Sequence, residues 1–371
     1  MGLLEYIKKA PLLRPNSFPN SHNLAIVCRA AAITHIPDSL MQNVRGVFVF
    51  DHKQNLPREI GADRNGQPIN VFPISVLAGN VSFDIVHFHH SYDYGVLADC
   101  AKLLARVGYD SFFNFMPIPY NAVISTTHIP NYFNENKDSL EFVFNQLEDR
   151  ESREVFAARI RALETGNVGY LRVSEYPEYF HPSVRPEEGD IIVDGGVSEF
   201  VGAQTQFSRA VGEQGRIYGF EPDPVGFCKA NDALGERCPN YQVVPLGLWS
   251  RKDILHFNLS GQGTHVSSGG GQGSVQCEVI SVDEFVKASR LKRVDLIKLD
   301  VEGAEAEAIK GAMETIGKFT PKLAISLYHT PKDLYHLPRL IREISGGYSY
   351  YLGHHHAALH ETILYASPRK K

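Results

Sequence analysis

The chain has 371 residues, 43% of them hydrophobic and 21% charged, with a formal net charge of −5. These are the proportions of a globular protein of about two domains, and the acidic balance excludes a chain built mainly to hold nucleic acid. No stretch approaches the ~18 consecutive apolar residues that a membrane span needs. The five cysteines (Cys28, Cys100, Cys228, Cys238 and Cys277) form no CxxC pair, which suits free thiols in a cytoplasmic protein.

Residues 1–116 read as a small parallel α/β domain. Leu24 to Val27, Val47 to Phe50 and Asp84 to Phe88 are short apolar runs of buried-strand type. Helix-spaced segments lie between and after them, such as Tyr94 to Val107 ahead of Gly108. A nucleotide site would need glycines in the first turn, so that a pyrophosphate could approach the backbone. That turn is Cys28-Arg29-Ala30-Ala31-Ala32-Ile33. The domain is therefore a degenerate Rossmann-like unit without a nucleotide, used for packing, homo-oligomer formation or acceptor recognition. His87 and His89 share a strand face, where a ligand role is the less favoured alternative to plain strand residues.

Residues 117–188 read as a helical connector. Glu141 to Glu164 combines helical spacing with many charges, Arg159 and Arg161 among them, and is expected as one or two solvated helices. Tyr170 to Pro182, rich in Tyr, Glu and Pro, either lines an acceptor entrance or packs as an ordered linker. The glycine-rich stretch Ser260 to Ser274 is a surface loop or a lid.

The chemistry concentrates in residues 189–371. Gly189 to Val197 is an apolar run ending in Asp194-Gly195-Gly196, followed by helical spacing from Phe200 to Val211. A strand, a glycine turn and a helix make a nucleotide-binding opening, where glycine lets backbone touch a ligand. The next strand ends in Phe220-Glu221-Pro222-Asp223-Pro224, with Glu221 27 residues after Asp194. A carboxylate there can accept two hydrogen bonds from a ribose diol. A third strand (Tyr241 to Leu246) leads to Gly247 and Trp249, which could wall an adenine pocket or sit in the core. A fourth runs from Val294 to Asp300 and leads into Val301-Glu302-Gly303-Ala304-Glu305. A fifth, Pro321 to Tyr328, ends at His329. In an open parallel sheet, Asp194, Glu221 and Asp300 would gather at the carboxyl edge.

Asp194-Gly195-Gly196-Val197, GRIYGFEPDP (Gly215 to Pro224), Ser281 to Phe285 and IKLDVEGAE (Ile297 to Glu305), followed by Lys310-Gly311-Ala312, together resemble the FkbM family of methyltransferases. The resemblance covers about half the chain. It implies a class I methyltransferase fold: a seven-stranded, mostly parallel Rossmann-like sheet with the last strand antiparallel. It implies S-adenosyl-L-methionine as cofactor and O-methylation of a hydroxyl on a sugar, glycan or natural-product intermediate. Carried over by position, Asp194, Gly195, Gly196 and Val197 would contact the methionine part. Glu221 and Pro222 would hold the ribose, and Leu246 and Gly247 would lie against the adenine. Asp300 and Glu302 would face the reaction centre, and His329 would be the acceptor-side base.

Family members place another glycine soon after the first pair, whereas here Ser198-Glu199-Phe200 precede Gly202. An inactive binding module of the same fold and an NAD-dependent enzyme therefore stay open on the residues alone. Mg²⁺ held by Asp300 with Glu302 or His329 would be an alternative way to activate the acceptor, although no metal-specific spacing is present. His354-His355-His356 and His360 are expected as exposed imidazoles at a strand end.

Overall fold

The structure, a computed structural model, describes residues 2–10, 24–28, 44–49, 57–63, 65–73, 76, 85–89, 112–114, 129–165, 170–197, 201–258, 265–266, 274–356 and 359–369. The chain divides into two units. One comprises Pro15–Ser125, and the other comprises Met1–Arg14 with Thr126–Lys371.

The first unit holds six strands: β1 (Leu24–Cys28), β2 (Val44–Val49), β3 (Glu59–Ala62), β4 (Pro68–Pro73), β5 (Ile85–His89) and β6 (Phe112–Asn114). They line up as β3-β4-β2-β1-β5-β6, all parallel except the edge strand β3. Ala25 to Cys28 of β1, and β2 apart from Arg45, are buried, as expected of central strands covered on both faces. The β3–β4 hairpin was not expected. Its strands are short and half-exposed, and Asp63 closes the turn between them by accepting the Asn65 and Gln67 amides. The glycine-free turn after Cys28 and the segment Tyr94 to Val107 lie outside the described residues.

The second unit is built on a seven-stranded sheet of β7 (Ile191–Gly195), β8 (Arg216–Phe220), β9 (Tyr241–Val244), β14 (Leu296–Leu299), β15 (Lys322–Ser326), β16 (Tyr348–His354) and β17 (Thr362–Pro368). The order is β16-β17-β15-β14-β7-β8-β9, with only β17 antiparallel to its neighbours. This is the class I methyltransferase arrangement expected from the sequence. A side sheet of β10 (Gly247–Leu248), β11 (Asp253–Asn258), β12 (His265–Val266) and β13 (Ser274–Ile280) flanks it. Trp249 packs there against Phe257, Cys277 and Val279.

The charged segment expected as solvated helices forms two helices, Lys137–Gln146 and Arg150–Thr165. The second is not solvated. Ser152, Val155, Phe156, Arg159, Ile160 and Leu163 are all buried on it, at the i, i+3, i+4, i+7 spacing of an apolar stripe. The amide of Leu352 donates to Ser152 Oγ at 2.9 Å and fixes this helix on β16. The N-terminal helix Leu3–Lys9 packs on it too, with Leu3 and Ile7 in the same core. Residues 3–9 thus belong with the second unit rather than with the N-terminal domain. Cys228, Cys238 and Cys277 are free thiols. Among the described residues, no helix is long and apolar enough to cross a membrane.

Candidate active site

Register builds the site. Gly195 on β7 pairs with Phe220 on β8 and with Leu299 on β14. The residues one step further on, Gly196, Glu221 and Asp300, therefore emerge side by side at the carboxyl edge. Beyond β15, which lies next to β14, come Tyr328 and His329. The expected gathering of Glu221 and Asp300 on one edge is present.

Asp194 lies deeper. Its side chain is fully buried, accepts from the Tyr241 hydroxyl at 2.6 Å and pairs with Lys298 Nζ at 3.0 Å. Lys298 is itself buried in the middle of β14 and also donates to the carbonyls of Gly195 at 2.9 Å and Gly196 at 2.6 Å. Burial opposes its charge, but Asp194 and Asp300 outweigh that and hold its pKa above the usual lysine value. One lysine thus fastens the glycine turn to the neighbouring strand.

The two glycines answer to packing within the protein. Gly196 has φ +85°, and a Cβ there would fall 1.8 Å from the Asp300 carbonyl oxygen. A Cβ on Gly195 would press on Leu248 and Leu299 at 2.9 Å and Val301 at 3.1 Å. The turn is glycine because β14 ends against it. Val197 is buried in the core. Ser198, Glu199 and Phe200, where the shifted glycine would matter, lie outside the described residues.

Glu221 leaves β8 half-buried and accepts the Asp223 amide at 2.8 Å. Asp223 in turn caps the helix Pro224–Leu234 through the Val225 amide. Burial outweighs that hydrogen bond and pushes the Glu221 carboxyl up to about 7. Gly247 sits beside Pro222: a Cβ on it would lie 3.4 Å from the proline ring. Leu246 precedes it, half-buried against the main core.

Asp300 is the hub. Tyr328 donates to its Oδ1 at 2.7 Å and Tyr179 to its Oδ2 at 3.0 Å. Burial would raise its pKa, but Lys298 and His329 outweigh it and keep the group below the usual aspartate value. His329 Nε2 lies 3.3 Å from Glu302 Oε2 and 3.6 Å from Asp300 Oδ1, while Nδ1 lies 3.0 Å from Glu305 Oε1. Burial works against protonation here, yet Glu305, Glu302 and Asp300 together raise the imidazole well above its ordinary pKa. Glu305 is fully buried and also accepts the Val301 amide at 2.8 Å. Glu302 and Gly303 both take positive φ, 53° and 94°. A non-glycine residue held in that region is the kind of strain that collects at functional turns.

Residues 196–350 match the methyltransferase FkbM domain. Residues 196–350 thus carry an FkbM-type methyltransferase domain, the family that the sequence motifs resemble. A curated relative, the hexuronic acid methyltransferase AglP of Haloferax volcanii, is 32% identical over 130 residues. The aligned part is 34% of this chain and 51% of that protein, so the chain spans about half the length of the curated relative it matches. The crystal structure of methyltransferase FkbM from Methylobacillus flagellatus KT shares the fold over 98% of both chains, with a TM-score of 0.58 and 18% identity.

Sequence reasoning passed over several residues of this FkbM site. Lys298 lies inside the IKLDVEGAE motif, and its signal is that a lysine in an apolar strand run demands a buried counter-charge. Tyr328 carries no comparable signal. Of the Tyr-rich segment left open between entrance and linker, Tyr179 reaches the centre and bonds Asp300. The histidines expected to be exposed are covered. His354 is buried with Nδ1 2.8 Å from Thr362 Oγ1, His355 Nε2 lies 2.9 Å from the Tyr365 hydroxyl, and the His356 and His360 rings stack with centroids 3.9 Å apart. His354 is the last residue of β16 and His355 follows it, and the two rings take different partners.

Proposed function

We propose that the second unit binds S-adenosyl-L-methionine across the carboxyl ends of β7, β8 and β14 and methylates a hydroxyl of a sugar, glycan or similar small acceptor. The observation that carries this reading is the row formed by Gly196, Glu221 and Asp300, fixed by strand register. Glu221 would hold the ribose diol with Pro222 beside it, and Leu246 and Gly247 would lie along the base. Asp194 would serve through Lys298, which sets the backbone of the glycine turn. The carboxylates of this edge suit a cationic sulfonium. The cofactor supplies an electrophilic methyl group, so the protein's share is orientation and proton handling. Asp300, held ionised by Lys298 and His329, accepts the acceptor hydroxyl's proton as the oxygen gains positive character. His329 was expected to be the base. Pinned as a cation between Glu305 and Glu302, it has no free site for a proton, so it serves instead to orient Asp300 and Glu302. A curated relative carries the name of a hexuronic acid methyltransferase, which supports a sugar-type acceptor.

Mg²⁺ does not fit the residues present. Ligand atoms of Asp300, Glu305 and His329 lie within 4.8 Å of one another. Mg²⁺, however, prefers oxygen donors and retained waters. This set offers an imidazole already committed to two carboxylates and a glutamate that is fully buried.

Cofactor titration by calorimetry tests the reading through Glu221. A carboxylate accepts both hydrogen bonds from a diol, whereas its protonated form has lost one acceptor. Because the folded pKa is raised to about 7, affinity for S-adenosyl-L-methionine is expected to rise from pH 6 to pH 8 in the wild type. Glu221→Gln should bind roughly ten- to a hundredfold more weakly at pH 8, the loss of a charge-assisted bond, with little pH dependence. Equal affinity in wild type and variant at both pH values would remove Glu221 from the cofactor site.

A further inference from the structure

Arg159 is only 3% exposed, and its Nε and Nη1 are buried without a hydrogen-bond partner. Among the described residues, no carboxylate lies within ion-pair reach of it. Burial pulls its pKa down to about 10, so it stays charged at neutral pH. A lone buried guanidinium is costly unless something compensates it. Among the described residues of this unit, Lys298 has Asp194, Lys322 has Asp190 at 2.8 Å and His329 has Glu305; Arg161, whose Nε is also buried and unpartnered, lies over the Tyr170 ring.

Among the described residues, the surroundings of Arg159 offer donors and no acid. Arg159 lies seven residues after Ser152 on one helix stripe, and His354 lies two residues after Leu352 on one face of β16. The Ser152–Leu352 hydrogen bond therefore brings both residues to the same seam. His354 Nε2 is buried and unpartnered. When Thr362 donates to Nδ1, Nε2 carries the ring proton and becomes a further donor. Burial, and then the charge of Arg159, keep His354 uncharged. Tyr132 links the seam toward the reaction centre. The Tyr132 hydroxyl, which also feels Arg159, donates to the Pro331 carbonyl at 2.5 Å, two residues from His329. His360 feels the charges of both Arg159 and Asp300.

We propose that Arg159, with His354 and His360 beside it, forms an oxyanion subsite that holds the carboxylate or phosphoryl group of an acidic acceptor. Binding of the anion stands on these residues alone; the role as acceptor anchor rests on the methyl-transfer reading. The subsite answers an electrostatic problem. Asp300, Glu302 and Glu305 repel an acidic sugar, and a cation placed beyond them both offsets that repulsion and turns the anionic group away from Asp300.

The test uses the full chain at constant ionic strength, with sodium glucuronate, inorganic phosphate and neutral glucose as probes in calorimetry and thermal melting. Glucuronate, phosphate or both should bind the wild type saturably, while glucose should not. Binding of glucuronate identifies a carboxylate subsite, and binding of phosphate alone identifies a phosphoryl one. Arg159→Met should weaken that binding by about tenfold or more, and Arg159→Lys should retain part of it. In buffer free of these anions, Arg159→Met should melt above the wild type, because it removes an uncompensated buried charge while keeping an unbranched apolar stem. A structural arginine would give the opposite sign. A wild type that binds neither anion overturns the proposal, as does Arg159→Met binding them unchanged or melting below the wild type. Titration of the wild type with S-adenosyl-L-methionine runs in parallel. Its failure would overturn the methyl-transfer reading while leaving the anion result standing.

Discussion

Lys298→Met is expected to destabilise the protein by about 3–5 kcal/mol, the usual cost of leaving one partner of a buried ion pair alone. That is a large share of the ~5–15 kcal/mol that holds a domain together. Asp194 would keep the Tyr241 hydroxyl at 2.6 Å and a long contact to Gln204 at 3.4 Å, but no counter-charge. The carbonyls of Gly195 and Gly196 would lose their donor as well. Asp194→Asn should cost less, because Asp300 still acts on Lys298 and an amide oxygen still accepts from Tyr241. The double variant Asp194→Asn with Lys298→Met should regain part of the loss, since no unpaired charge remains buried. Chemical denaturation of the four proteins reads this directly. Strict additivity of the two single losses would mean that the pair contributes nothing as a pair.

The same ion pair shows where sequence stops being legible. The first four strands of the second unit are readable because each is an apolar run ending at an acidic or glycine punctuation mark. Once three such strands lie parallel, their ends must share an edge, and Glu221 and Asp300 do. What could not be read was the direction of each side chain at that edge. Asp194 and Glu221 look equivalent in the sequence, yet Asp194 belongs to the strand and points into a buried polar pocket, whereas Glu221 lies one step beyond its strand. Tyr179 meets Asp300 across 121 residues of chain, a contact no local pattern announces. His329 reads as a base from its residue type and its place at the end of the fifth strand; its charge state depends on Glu305, which meets the other ring nitrogen. Arg159 was more accessible. Counted among the charges of its helix it looked solvated, but it sits at i+7 from Ser152 on the stripe that Val155, Phe156, Ile160 and Leu163 mark as buried. Weighing position on the helix above charge content would have separated it from Arg150 and Arg153.

If Asp300 accepts the acceptor's proton, Asp300→Asn should lower turnover by roughly 10²–10⁴-fold, the range a positioned base contributes, while affinity for S-adenosyl-L-methionine changes far less. An amide keeps the shape and can still meet the Tyr179 and Tyr328 hydroxyls, so a thermal melt close to wild type is the check that the loss is chemical. The pH profile separates Asp300 from His329. Lys298 and His329 hold the Asp300 carboxyl below its ordinary pKa, so it is ionised throughout the neutral range and imposes no limb there. The acid-side fall in kcat/KM should then follow Glu221, near pH 7. Were His329 the base, activity would instead climb only as pH passed its strongly raised pKa, and His329→Gln would match Asp300→Asn in severity. With His329 as an orienting cation, His329→Gln should cost less. It should also let the Asp300 pKa rise, because one of the two charges that depress it is gone, while the acid limb set by Glu221 stays near pH 7. Wild-type turnover in Asp300→Asn, measured with any acceptor the enzyme accepts, would take this carboxylate out of the mechanism.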